Sequence, residues 1–228
     1  MITLRRFTFL ASALAALAVG ARDVAAQDAR LDARLDERTR SALLPVIDSA
    51  RLAGLPVEPL VQKALEGASK RASGDRIVHA VRRLAGQLGT AQLALGRGAA
   101  EPELVAGASA LQAGVTPDVL VALRSERRNA ALTVPLGVMA ELIARGVPAD
   151  TAALAVTALA EAGVNDAQLV ALRRDVERDI GVGAPPTTAL IARAGTFTDQ
   201  FTFGPGGTGR IGTATEGTRT GTTPRRRP

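Results

Sequence analysis

Two stretches of the chain match at a fixed offset: residues 113–124 read AGVTPDVLVALR and residues 162–173 read AGVNDAQLVALR, ending in an identical LVALR. The match continues downstream, where Leu142-Ile143-Ala144-Arg145 recurs as Leu190-Ile191-Ala192-Arg193 after one deletion. The copies cover residues 101–146 and 148–195, and a weaker one over 41–97 contains Ala53-Gly54-Leu55-Pro56. Self-similarity at this period, in units that read as several helices, points to stacked helices that bury their apolar faces against neighbouring units.

The recurring Ala-Gly-Leu/Val element is a helix stop. Gly54, Gly114, Gly146 and Gly163 each follow a helical apolar pattern and precede Leu55, Val115, Val147 and Val164. Glycine takes the left-handed conformation cheaply after a helix, and the next apolar residue packs back on the last turn. Starts follow at once: Thr116-Pro117-Asp118 offers an N-cap, a first-turn proline and an acid, and Asn165-Asp166 offers the same without proline. These signals predict helices over 37–53, 57–72, 76–96, 101–113, 117–129, 134–145, 149–162, 165–179 and 186–194. Pro45 is expected to kink the first or shift its start, and LDARLDER at 31–38 to add a frayed turn. No stretch alternates like a strand. The fold expected is all-α, with antiparallel helical hairpins in an internally repeated bundle or short solenoid.

Residues 10–196 contain no Phe, Tyr or Trp, so Ala, Leu and Val must fill the core. Helices then approach closely, but each contact buries little area, and moderate stability is expected. The 228 residues contain no cysteine and one histidine. That excludes a disulfide framework, a thiolate metal site, a thiol nucleophile and a multi-histidine metal centre. No cofactor is implied.

The ends differ from the middle. Residues 1–26 show a basic start at Arg5-Arg6, an apolar run from Phe7 to Gly20 and small residues at Val24-Ala25-Ala26, the three parts of a secretory signal cut after Ala26. The apolar run is short of the roughly 20 residues that span a bilayer, so no transmembrane span is expected in the mature chain. Arg5-Arg6 also resembles a twin-arginine signal, from which Leu4 and Thr8 depart, and the general secretory route is favoured. Either route leads to the periplasm or the extracellular space. The body is expected over 27–194. From Gly195 to Pro228 the chain turns to Gly, Thr, Pro and Arg, a composition that cannot bury enough surface to order itself, and a disordered tail is expected. Phe197, Phe201 and Phe203 alternate with Thr, which leaves a short docking strand as the other reading of that junction.

The net charge of +6 is concentrated at these ends: residues 1–26 carry +2 and residues 195–228 carry +3, which leaves +1 for the body. A nucleic-acid-binding domain concentrates positive charge on a folded face, so no nucleic-acid partner is expected. Arg225, Arg226 and Arg227 form a weak candidate site for anionic lipid headgroups, polyanionic envelope sugars or an acidic protein patch.

Candidate catalytic chemistry is sparse. His79 lies beside Ile77, Val78, Val81 and Leu84; it reads as a partly buried, hydrogen-bonded side chain rather than a general base, because no serine elbow accompanies it. Asp175 and Asp179 have the spacing of a carboxylate pair on one helix face, but Arg173, Arg174 and Arg178 lie among them and Glu177, as on a solvated face laced by ion pairs. Glu101 and Glu103 sit at a helix start, where acids favour the dipole. The glycine run GPGGTGRIG at 204–212 lacks the strand and the Lys-Ser/Thr helix that a phosphate loop needs.

The segment GLPVEPLVQKALEGASKRASGDRIVHAVRRL, residues 54–84, resembles stretches in uncharacterised exported bacterial proteins of predicted helical structure. The resemblance covers about an eighth of the chain and implies origin and fold, with no activity or ligand. The function expected is that of a non-enzymatic exported helical-repeat protein that binds a protein or an anionic envelope component. The alternative is an envelope hydrolase using carboxylate or His79 acid–base chemistry.

Overall fold

The computed structural model describes residues 29–202, with side chains to residue 196. The signal segment, the cut after Ala26, the glycine run at 204–212 and Arg225, Arg226 and Arg227 lie outside the described residues.

The described chain is all-helical, and no strand occurs among the described residues. A helical turn at 29–32 leads into α1 (Glu37–Leu52), α2 (Glu58–Ser69), α3 (Gly74–Leu95), α4 (Glu101–Ala113), α5 (Pro117–Glu126), α6 (Thr133–Ala144), α7 (Ala149–Glu161), α8 (Asp166–Gly181) and α9 (Pro186–Thr202).

Local chemistry sets the helix ends. Asp36 caps α1 by accepting from the Thr39 backbone N–H at 2.8 Å and from its hydroxyl at 2.7 Å. Asn165 caps α8 in a reciprocal box: its Oδ1 accepts from the Gln168 N–H, and the Gln168 Oε1 accepts from the Asn165 N–H. Thr116 has N-cap backbone angles, but its hydroxyl makes no capping bond. Thr116 therefore departs from the expected side-chain cap, and Pro117, pre-set at helical φ, opens α5 instead.

The stops share one geometry. Gly114 and Gly163 have φ of 109° and 80°. The following Val115 and Val164 donate back to the Ala110 and Leu159 carbonyls at 3.0 and 2.9 Å, and both valines are buried. Gly54 and Gly146 have φ of 71° and 95°. At the end of α2, Arg71 takes the left-handed place at φ 54°, and Ala72 donates to the Gly67 carbonyl. That closure stops α2 at Ser69, short of the sequence-based end at 72.

Two further expectations change, and the start of α1 does not shift. Residues 31–38 are more than a frayed turn, because Leu31 is fully buried and the Arg30 guanidinium grips the Glu58 carboxylate at 2.9 and 2.6 Å. Pro45 lies inside α1 without ending it or moving its start. Helix α9 runs through Gly195 to Thr202, so over 195–202 neither the disordered tail expected from Gly195 nor the strand reading of Phe197 and Phe201 holds. Phe203 lies outside the described residues.

The packing alternates along the chain: α1 packs on α3, α3 on α5, α5 on α7 and α7 on α9, while α4 packs on α6 and α6 on α8. The contacts α2–α3, α3–α4, α6–α7 and α8–α9 tie the two rows together. Buried aliphatic residues form two clusters. One joins α1, α2 and the first part of α3 around Leu43, Leu60, Val81 and Leu88, with Leu104 and Ala108 of α4. The other runs from Ala91 to Leu190 around Leu120, Leu136, Met139, Leu142 and Leu172. None of the described helices is long and apolar enough to cross a membrane.

Candidate functional site

Helix α6 is apolar almost all round (TVPLGVMAELIA), a composition that suits a helix covered on several sides. Pro135, Leu136, Val138, Met139 and Leu142 are buried, and α6 is flanked by α4 and α8 within its row. Between these three helices lies an open groove of about 610 Å³. Its floor includes Val105, Ala106, Val134, Gly137, Val138 and Val170. Glu101, Glu141 and Arg173 stand at its border. The lack of a side chain at Gly137 keeps the floor low, since an added Cβ there would meet no atom within 4 Å.

One end of the groove is fixed by Glu103, which is only 7% exposed. Its Oε1 accepts from the Leu132 N–H at 2.7 Å and from the Arg124 guanidinium at 2.8 Å, and its Oε2 accepts from the Ala100 N–H at 3.0 Å. Arg124 also donates to the Ala130 carbonyl at 3.2 Å. Burial pushes the Glu103 carboxyl up, but the Arg124 hydrogen bond and the two backbone donors outweigh it and hold the group below the ordinary carboxylate range. A single acid thus joins the start of α4, the end of α5 and the entry to α6. Arg127 adds an ion pair to Asp166 of α8 at 2.8 Å.

Arginines also hold the opposite border. Arg173 pairs with Glu141 of α6 at 2.6 Å and with Glu177 at 3.3 Å, and Arg145 reaches Glu177 at 3.4 Å. The carboxylates read as a pair are separated by their partners: Asp175 binds Arg178 at 2.8 Å, while Asp179 receives two bonds from Arg193 of α9 at 2.7 and 2.8 Å. The Arg193 hydrogen bond holds the Asp179 carboxyl below its usual range. A carboxyl kept ionised in this way is a poor proton donor at neutral pH.

His79 is exposed on α3, not partly buried as expected. Ile77, Val78 and Val81 point into the core, and the step of about 100° per residue carries position 79 to the outer side. Among the described residues it has no serine or carboxylate hydrogen-bond partner. Glu101 is exposed at the mouth of the groove, whereas its neighbour Glu103 is buried.

Sequence reasoning missed the groove and the reach of Glu103. The apolar composition of α6 was the available signal, because a short helix that is apolar on every side must be covered on more than one face. No family model, no curated protein and no solved structure matches this chain.

Proposed function

We propose that this chain is an exported, non-enzymatic helical-repeat protein that holds a protein or envelope partner in the groove between α4, α6 and α8. The observation that carries the reading is the groove itself: an open, mainly apolar floor between helices whose border charges are largely spent on fixing those helices. An apolar concavity of this size suits the side chains of a bound segment. The sequence copies at 113–124 and 162–173 and the alternating rows support a repeat array. The hydrolase reading is less well supported, because it needs an acid with a raised pKa, while Glu103 and Asp179 are both lowered.

Site-specific photo-crosslinking in living cells tests the binding reading. A crosslinker at Thr133, on the groove, is expected to give a discrete adduct that the same probe at the exposed Leu154 of α7 does not give. Identical adducts from both positions, or none from Thr133, would overturn it. The export reading predicts that the mature chain begins at Gln27, and exported material that begins at Met1 would overturn it.

A further inference from the structure

Half of the arginines of the described body pair with carboxylates, and none of those on α3 and its C-terminal turn does. Residues 74–97 carry Arg76, Arg82, Arg83 and Arg97 against the single acid Asp75, and none of the four arginines has an ion pair among the described residues. All four are exposed. On the neighbouring helices most acids are already neutralised locally: Asp48 by Arg51, Glu37 by Arg40, Glu66 by Lys63 and Lys70, Glu58 by Arg30, and Glu103 by Arg124. Asp36, which lies beside Gly74 and Asp75 at the start of α3, is engaged by Thr39, Glu101 of α4 borders the other groove, and Asp118 and Glu126 of α5 form no ion pair with an α3 arginine. The positive charge of α3 therefore remains uncompensated along its outer face.

That face also carries exposed apolar groups. His79, Arg82, Arg83, Gly86 and Leu93 follow helical spacing and lie on one side of α3. Leu93 is 88% exposed, and Leu52, at the end of the adjoining α1, is 90% exposed. Between α1 and α3 runs a second groove of about 400 Å³, lined by Pro45, Val46, Ala53, Leu55, Ala85 and Gly86. An added Cβ at Gly86 or Gly89 would meet nothing within 4 Å, so the outer side of the helix is open. Unpaired arginines and the nearly bare Leu93 thus lie along α3, beside a shallow apolar trough to α1, and α1 ends in the equally bare Leu52.

We infer that the α1–α3 face docks on an anionic lipid membrane, with Arg82 and Arg83 at the headgroups and Leu52 and Leu93 entering the acyl boundary. Charge complementarity selects an anionic partner, and the exposed leucines select a lipid surface over a soluble polyanion, which offers nothing apolar to bury. This inference adds a second contact, apart from the α4–α6–α8 groove, and rests on the reading above only for the compartment. Vesicle binding requires neither export nor the α4–α6–α8 groove, so the two readings fail separately.

The test is flotation of the full-length chain with vesicles of phosphatidylglycerol in phosphatidylcholine, and with phosphatidylcholine alone. Binding to the anionic vesicles only is expected. R82E/R83E should weaken it by about tenfold or more, and L52N/L93N by roughly fivefold to tenfold, with circular dichroism showing each variant folded. R128E/R174E, at exposed arginines without ion pairs elsewhere, should bind as the parent does. Binding that survives R82E/R83E would overturn the inference and place the contact on another part of the chain. Vesicle binding unaffected by L52N/L93N, together with arginine-dependent binding to polyphosphate, would overturn it in favour of a soluble polyanion. A parent chain that does not float would also overturn it.

Discussion

Glu103 and Leu132 are 29 residues apart in sequence, yet the carboxylate oxygen of one accepts the backbone N–H of the other at 2.7 Å. The bond holds the entries of α4 and α6 side by side, and these entries form one end of the larger groove. Glu103 is therefore better understood as a joint between helices than as an acid placed to favour one helix dipole.

Replacing Glu103 by Ala is expected to destabilise the fold by about 3 kcal/mol, because the Arg124 guanidinium and the Leu132 N–H lose their partner while staying largely buried. Glu103→Gln should cost less, since an amide oxygen still accepts from Leu132. The Glu103 pKa is lowered in the folded state, so its stabilisation is complete above the unfolded carboxylate pKa, near 4.5. It is lost as pH falls through the folded value. Urea denaturation as a function of pH checks this: the parent should lose more stability on acidification than Glu103→Gln.

Arg71 closes α2 in a conformation that costs L-residues roughly 1 kcal/mol. Arg71→Gly should raise stability by about 0.5 kcal/mol, the strain relief being partly offset by the freer unfolded chain. A higher melting temperature in calorimetry checks it, and a lower one would show that the arginine side chain makes a contact worth more than the strain.

Gly74 opens α3 against Thr39 of α1, and a Cβ added there would lie 2.0 Å from the Thr39 hydroxyl oxygen. Thr39 is buried and its hydroxyl is engaged by Asp36, so it cannot swing away freely. Gly74→Ala should cost about 1–3 kcal/mol. Thr39→Ala in the same chain should remove most of the added penalty, a coupling that a double-mutant cycle measures.

Removal of residues 205–228 should leave the helical circular dichroism and melting temperature unchanged, since Ile211 is the only aliphatic residue larger than alanine there. Truncation from Gly195 onward should lower both, because it cuts into α9, which continues to Thr202. Equal behaviour of the two truncations would show that the last turns of α9 add nothing to the fold.

The all-helical class was legible because its signals are local. A glycine after an apolar helix, or an Asn beside an acid, acts within a few residues, and the stops at Gly114 and Gly163 can be read without knowing what packs where. Arg71 shows the limit: the same stop was made by a residue that sequence reasoning does not associate with one. The gripping of Glu58 by Arg30, the bond from Glu103 to Leu132 and the groove floor from Val105 to Val170 depend on residues brought together across the chain. Periodicity carries no such information. The sequence match also runs over three helices, whereas contacts alternate every second helix, so α5 and α8 share LVALR yet belong to different rows.

Leu88 and Ala91 belong to consecutive turns of α3 but to different buried clusters. One continuous helix therefore lines both clusters, as α4 does through Leu104 and Ala108 in one and Ala106 and Ala110 in the other. Amide exchange should reveal two cooperative units, with protection changing along α3 between these positions rather than at any loop. A boundary of this kind is invisible in any division of the chain drawn at its turns.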